Sequence, residues 1–203
     1  MTKLVCIAGG SGAGKSTLAD ALVARLGERN VSVLRLDDFQ RGKSMVPIAA
    51  SPTAPPRRNY DHPSAVDWEP FIAALRTLKA GHVVSVTRRL KKRPTEDGVE
   101  PADTVLVQAR PLVVVEGYLA LWNDEVRSLY DASIFLRASE ATRVARRRWV
   151  KDAQYVSEVL LPMHGYFIEP TAAHASLVVD IDDLSPDEVC ERATAYLMSF
   201  CGA

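Results

Sequence analysis

A glycine-rich segment near the start of the chain constrains the fold more than any other feature. It satisfies the pattern G-x-x-x-x-G-K-[ST] in the run Gly9-Gly10-Ser11-Gly12-Ala13-Gly14-Lys15-Ser16-Thr17. An apolar run at 4–8 precedes it and leucines at helical spacing follow it, which is the strand–loop–helix context that this pattern requires. Glycines let successive backbone N–H groups converge on a phosphate, and the helix N terminus adds a favourable dipole. The segment predicts a P-loop, which binds a nucleoside triphosphate.

Two side chains of this loop have chemical roles of their own. Lys15 brings a positive charge to the β- and γ-phosphates, and Ser16 offers its hydroxyl to Mg²⁺. The predicted cofactors are therefore ATP and Mg²⁺. We expect nucleotide contacts along the whole loop, at Gly10, Ser11, Gly12, Ala13, Gly14, Lys15, Ser16 and Thr17.

Short apolar runs alternate with amphipathic stretches along the chain, a pattern typical of a parallel sheet covered by helices. We predict strands at 4–8, 31–36, 112–115, 132–136 and 177–181, and helices at about 15–28, 65–79, 139–152 and 186–200. Ser185, Pro186 and Glu188 form a start signal for the last helix, and Ser64 with Asp67 forms a weaker one. The expected fold is a single α/β domain over 1–203, a P-loop NTPase fold with a parallel five-stranded sheet flanked by helices.

Two segments interrupt this alternation. Residues 41–63 contain five prolines, so we expect a long loop there, of a kind that is usually functional or mobile. Residues 82–110 are predicted to form a small β excursion, with strands at 83–87 and 105–107.

The charge of the chain argues against polyanionic partners. Its formal net charge is zero, so attraction of the whole molecule to nucleic acid or to an anionic membrane is not expected. A basic run follows in Arg88-Arg89-Leu90-Lys91-Lys92-Arg93, and it has no interleaved aromatic residues. Their absence disfavours a nucleic-acid-binding role. The run could instead contact the substrate, and we select Arg89 for that contact. Three cysteines are too few for a disulfide framework or a zinc site. The apolar run at 4–8 is too short for a signal peptide or a membrane span, so a cytoplasmic protein is expected.

Two carboxylates follow the second predicted strand. In a doubly wound sheet the carboxyl ends of the strands face the ligand crevice. Asp37 or Asp38 could there take the proton of an acceptor hydroxyl and also help to hold Mg²⁺. The alternative is that both residues only cap the loop.

Four motifs in order resemble the uridine kinase and phosphoribulokinase family of P-loop kinases, which includes the nicotinamide riboside kinases. After the P-loop come Leu36-Asp37-Asp38-Phe39, Asn59-Tyr60-Asp61-His62-Pro63, Val113-Val114-Val115-Glu116-Gly117 and Thr142-Arg143-Val144-Ala145-Arg146-Arg147-Arg148. The resemblance covers most of 4–180. It implies a kinase that transfers the γ-phosphoryl group of ATP to a hydroxyl, and a homo-oligomer remains open.

The resemblance also implies roles for individual residues. Asp37 matches the catalytic base, and Asp61 matches the aspartate that binds the hydroxyls of an acceptor sugar. Glu116 lies where a carboxylate would organise Mg²⁺. Tyr60 is placed beside the substrate, whereas His62 could either contact the acceptor or pack within the loop.

The arginine-rich motif is expected to form a lid over about 142–156. Arg143, Arg147 and Lys151 are four residues apart and so share one face of a helix. A solvated surface is one interpretation of this face. Positive charge that closes over the transferred phosphoryl group is the other, and the resemblance favours it. Arg147 is the predicted catalytic arginine. Arg148 is predicted to contact the nucleotide, and Lys151 is a further candidate.

The sequence departs from the family on the acceptor side. Uridine kinases carry P-x-Y-D on the excursion, where this chain has Thr87-Arg88-Arg89-Leu90, and Gln40 replaces a family tyrosine after D-x-F. The predicted acceptor is the 5′-hydroxyl of a nucleoside, with nicotinamide riboside, pantothenate or a sugar as alternatives. A GTP-binding switch would carry an N-K-x-D motif, which is missing, and a binding module without turnover would not need Lys15 and Asp37.

Overall fold

The computed structural model describes residues 1–49, 56–89, 102–147 and 153–201. Its elements in chain order are β1 (Lys3–Gly9), α1 (Lys15–Leu26), β2 (Val31–Arg35), β3 (Ile48–Ala49), β4 (Arg57–Arg58), α2 (Trp68–Lys79), β5 (Val84–Arg89), β6 (Ala102–Val107), β7 (Leu112–Glu116), α3 (Asp124–Leu129), β8 (Ala132–Arg137), α4 (Glu140–Arg146), α5 (Ala153–Tyr155), α6 (Leu161–Met163), β9 (Leu177–Asp180) and α7 (Pro186–Cys201). The α/β fold that the sequence predicts is confirmed.

The central sheet contains the five predicted strands, in the order β2-β7-β1-β8-β9. All four neighbouring pairs are parallel, for example Cys6 opposite Val115 and Ile7 opposite Ile134. The strands are apolar because both faces of the sheet are covered. Alternate residues of β1 divide between two cores: Leu4 and Cys6 pack in one, and Val5 and Ile7 in the other.

Helices on the two faces complete these cores. Leucines of α1 and apolar residues of α7 cover the face that contains Val5, and α2 and α3 cover the face that contains Leu4. The start signal of α7 is confirmed, since Ser185 Oγ accepts from the Glu188 N–H and Glu188 Oε2 accepts from the Ser185 N–H. Glu188 is thus the reciprocal partner in a capping box.

The predicted start of α2 at 65 is wrong. The helix begins at Trp68, and Ser64 instead lies in a 3₁₀ turn (Pro63–Ala65) whose Ser64 N–H donates to His62 Nδ1. Val66 bridges to Gln40 and the Asp67 N–H donates to the carbonyl of Phe39, so these residues are held extended until helix formation starts.

The predicted helix at 139–152 is confirmed only for its first two turns. Ser139 caps α4 by accepting from the Thr142 N–H, and α4 ends at Arg146. Arg147 leaves the helical conformation with φ −89° and ψ 56°. Residues 148–152, with the predicted lid residues Arg148 and Lys151, lie outside the described ranges.

Two further helical segments are present in the described ranges. The helix α3 is short and begins after Asn123, whose side chain accepts from the Val126 N–H. The second segment continues from α5 through π-helical turns at Val156–Leu160 and His164–Ile168, with α6 between them, to a 3₁₀ helix at Glu169–His174. Each five-residue π turn widens the helix and so changes the direction of the side chains that follow it.

The β excursion is confirmed as an antiparallel ribbon in which Val84 pairs with Val107 and Arg89 with Ala102. The segment at 41–63 is not wholly irregular, because the two-residue strands β3 and β4 pair within it. None of the helices in the described ranges is long and apolar enough to cross a membrane.

Candidate active site

A cavity of about 640 Å³ opens where the carboxyl ends of β1, β2 and β7 meet. Parallel strands bring these ends to one edge of the sheet, so residues distant in sequence share the cavity. Its walls include most of the P-loop and the predicted polar residues Lys15, Ser16, Asp37 and Glu116. Arg35 and Tyr118 also line it, although no sequence pattern indicated either residue.

The P-loop has the tight backbone that its glycines predict. Gly12 and Gly14 adopt φ of 88° and 86°, in the left-handed region that favours glycine. A Cβ added at Gly12 would lie 2.6 Å from the Arg143 carbonyl oxygen, and one at Gly10 would lie 2.7 Å from Arg143 Cδ. The start of α4 is therefore packed directly against the phosphate loop.

Lys15 is the electrostatic centre of the cavity. Its Nζ donates to the Gly10 carbonyl at 3.0 Å. Burial lowers the pKa of Lys15, and Glu116, Asp37 and Asp61 oppose that change because their negative charges are near. Arg147 acts in the same direction as burial. Predicted residues from four segments thus interact at this ammonium group.

Glu116 joins the end of β7 to the P-loop. Ser16 Oγ donates to Glu116 Oε1 at 3.1 Å, and Arg35 Nε lies 3.8 Å from the same oxygen. Burial raises the pKa of Glu116, and nearby Asp37 adds to that rise. A bound cation would stabilise the charged form of this buried carboxylate.

The two aspartates after β2 have different surroundings. Asp37 lines the cavity. Asp38 points to the β excursion, where Arg88 donates to both of its oxygens, with Nη2 2.8 Å from Oδ2. The Asp38 side chain is only 6% exposed, so this ion pair fixes β5 against the end of β2.

The loop at 59–62 carries the predicted acceptor residues. Asp61 is buried and its Oδ2 accepts from the Tyr155 hydroxyl at 2.7 Å. Its backbone N–H donates to Asn59 Oδ1, and the Tyr60 carbonyl accepts from the Tyr118 hydroxyl at 2.5 Å. The loop is therefore held by side chains from distant elements.

The side chain of His62 contacts its own loop and the ring of Phe167. Its Nδ1 accepts from the Ser64 N–H at 3.1 Å. Its ring meets that of Phe167 edge to face, with centroids 5.2 Å apart. The backbone of Arg89 ends β5, but its side chain lies outside the described part of the chain, as do all atoms of Arg148.

Arg147 is placed at the point where α4 ends. Its Nε and Nη1 are buried and have no hydrogen-bond partner within the described residues. Burial lowers the pKa of Arg147, whereas Asp61, Tyr155 and Asp37 act to raise it. Buried guanidinium donors without a protein acceptor are suited to an anionic ligand.

The sequence interpretation missed several contacts of the site. The Tyr155 hydroxyl donates to Asp61 Oδ2. His164 lies against Gly10, and its Nε2 is 3.2 Å from Glu169 Oε2. Part of the cavity wall is apolar and includes Ile181, Leu184 and Val189.

Comparison with known proteins identifies the family. The family described as Phosphoribulokinase / Uridine kinase matches residues 4–181. The chain belongs to this family. It is 34% identical to a uridine kinase of Halobacterium salinarum over 185 residues, which are 85% of this chain and 77% of that protein. It is 32% identical to a uridine kinase of Deinococcus deserti, over 87% of this chain and 86% of the relative. Membership in the phosphoribulokinase and uridine kinase family makes the chain a phosphotransferase that acts on a hydroxyl group.

Solved structures agree with the fold of this family. A structure described as a possible uridine kinase from Bacillus stearothermophilus superposes with a TM-score of 0.58 at 21% identity, covering 88% of this chain and 89% of that one. A shikimate kinase from Acinetobacter baumannii gives 0.57 at 13% identity, covering 98% and 94%. At these identities the likeness concerns the fold alone.

Proposed function

We propose that the protein transfers the γ-phosphoryl group of ATP to the 5′-hydroxyl of a nucleoside. The observation that carries this proposal is the convergence on Lys15 of Glu116 and Asp37 with Asp61 from the acceptor loop. A site that only bound nucleotide would not need Asp61. The uridine kinases to which the chain is similar support a nucleoside as acceptor.

Nucleotide binding is supported by the shape of the cavity. We assign the phosphates to the P-loop and Lys15, because the loop amides and the ammonium group supply positive charge there. We assign the base to the apolar part of the cavity wall near Ile181, Leu184 and Val189. An adenine ring suits such a surface because its faces are apolar.

The donor set fits Mg²⁺. A hydroxyl at Ser16 and carboxylates at Asp37 and Glu116 offer the hard oxygen ligands that this ion prefers, and the raised pKa of Glu116 indicates a need for positive charge. In the described ranges no three His, Cys, Asp or Glu side chains are grouped to hold a metal. That arrangement is compatible with an ion that takes most of its ligands from phosphate and water. When bound, Mg²⁺ supplies charge stabilisation to the phosphates.

The chain's own residues account for the remaining chemistry. The acceptor oxygen forms a bond to the γ-phosphorus while the bond from that phosphorus to the bridging oxygen breaks. The proton of the hydroxyl passes to Asp37, and ADP leaves. Arg147 would direct its two buried N–H groups at the transferred phosphoryl group. Asp61 would orient the acceptor by accepting from its sugar hydroxyls.

A coupled assay of ADP release tests this proposal. The purified protein is offered ATP and Mg²⁺ with uridine, cytidine, nicotinamide riboside, pantothenate and simple sugars in turn. Release that depends on a nucleoside supports the proposal, whereas release that depends only on pantothenate or a sugar moves the acceptor to another class. Equal release with every compound and without any would overturn the kinase interpretation.

A further inference from the structure

Tyr155 makes a direct bond to the predicted acceptor carboxylate. Its hydroxyl donates to Asp61 Oδ2 at 2.7 Å. The phenol remains protonated, because burial and the charge of Asp61 raise its pKa. A hydrogen bond from a neutral donor to a buried carboxylate is charge-assisted and so is stronger than one between neutral groups.

Among the side-chain contacts of the loop at 59–62, two hold the backbone and one reaches a carboxylate. Asn59 accepts from the Asp61 N–H, and Tyr118 donates to the Tyr60 carbonyl, so both fix the backbone. The Tyr155 bond falls on the carboxylate itself. It therefore restricts the rotation of that group.

Arg147 also interacts with the carboxylate to which Tyr155 is bonded. Arg147 precedes the segment 148–152, and Tyr155 closes α5 soon after it. Both residues interact with Asp61, Tyr155 by its hydrogen bond and Arg147 by its charge. The carboxylate of Asp61 thus interacts with both residues.

We propose that Tyr155 is a positioning residue for the acceptor: it holds Oδ2 of Asp61 and directs Oδ1 to a hydroxyl of the acceptor. This inference rests on the proposed function, because it takes Asp61 as the acceptor ligand. It assigns no contact between Tyr155 and the reacting atoms.

The variant Tyr155→Phe removes one hydroxyl and keeps the ring. We expect the KM for the acceptor to rise about 10-fold, as for loss of one hydrogen bond to a charged group, while the KM for ATP stays unchanged. Tyr166→Phe is the matched control, since Tyr166 lies on the same helical segment and is 74% exposed. It should behave as the wild type.

A double-mutant cycle separates positioning from a merely structural role. In an Asp61→Ala background, Tyr155→Phe should change kcat/KM for the acceptor by less than about 2-fold, since no carboxylate is left to orient. A full 10-fold loss in that background would overturn the proposal. So would a lower acceptor KM in Tyr155→Phe, because Tyr155 would then compete with the acceptor for Asp61.

The same data distinguish this inference from the proposed function. If the wild type turns over no acceptor, the proposed function fails and the role of Tyr155 fails with it. If the wild type is active and Tyr155→Phe matches Tyr166→Phe, only the role of Tyr155 fails. Thermal unfolding of each variant checks that the loss is not one of folded protein.

Discussion

The hydroxyl of Ser16 donates to Glu116 Oε1 at 3.1 Å, across 100 residues of sequence. The bond joins the first turn of α1 to the end of β7. The helix α1 follows β1, and β1 pairs with β7 in the central sheet. It brings together an oxygen from the phosphate loop and a buried carboxylate that carries a raised pKa. Both are placed where a cation would relieve the cost of burying that charge.

Glu116→Gln keeps the shape of this contact and removes its charge. We expect the Mg²⁺ concentration needed for half-maximal activity to rise at least about 10-fold, as when a carboxylate that orients a metal site is neutralised. Titration of ADP release with Mg²⁺ measures the change. Glu125→Gln is the control, because Glu125 lies on the surface in an ion pair with Arg76. An unaltered Mg²⁺ requirement in Glu116→Gln would exclude Glu116 from the metal site.

Asp37 and Asp38 provide a matched pair of variants. Asp37→Asn should lower kcat at least about 10²-fold, on the order expected for loss of a general base. Asp38→Asn should instead lower the free energy of unfolding by about 2 kcal/mol, because Arg88 then loses a charged partner. Steady-state kinetics and urea unfolding measure the two effects. Equal kinetic losses in both variants would contradict the assignment of Asp37 as the base.

His164 predicts how stability depends on pH. Burial and nearby Arg143 lower its pKa to about 4. The unfolded chain takes up a proton on this imidazole near pH 6.5, whereas the folded chain does not until near pH 4, so the free energy of unfolding falls as the pH drops between these values. Glutamine in the variant His164→Gln cannot titrate. Between pH 7 and pH 5 the free energy of unfolding of this variant should therefore fall by about 2 kcal/mol less than that of the wild type.

Urea unfolding at pH 7 and pH 5 measures that difference. His82→Gln is the control, since His82 is exposed after the end of α2. The assignment is wrong if the wild type and His164→Gln lose the same stability between these two pH values, or if His82→Gln shows the larger effect.

Local patterns were enough to predict the donor half of the site. The P-loop is contiguous, so its strand, glycines, lysine and helix could be recognised together, and the capping box of α7 needs only Ser185 and Glu188. The place at the end of a strand indicated Asp37 or Asp38, and the resemblance to the family selected Asp37. Each of these predictions depends on residues that are close in sequence.

The remaining contacts depend on tertiary structure. Tyr155 and Asp61 are 94 residues apart, and Arg88 and Asp38 are 50 apart, so no local pattern joins them. The wrong start of α2 has the same cause, because a bridge from Gln40 to Val66 overrides a local helix signal. Two π turns near 156–168 also interrupt the regular helical spacing from which side-chain directions are predicted.

The activity that we propose is transfer of phosphate to the 5′-hydroxyl of a nucleoside. Its most direct test compares uridine with 5′-deoxyuridine, which differs only in that hydroxyl, in the same assay of ADP release, with mass spectrometry of the product. We expect stoichiometric ADP and a nucleoside 5′-monophosphate from uridine, and no acceptor-dependent release from 5′-deoxyuridine. Equal release with both compounds, or phosphate at another hydroxyl, would contradict it.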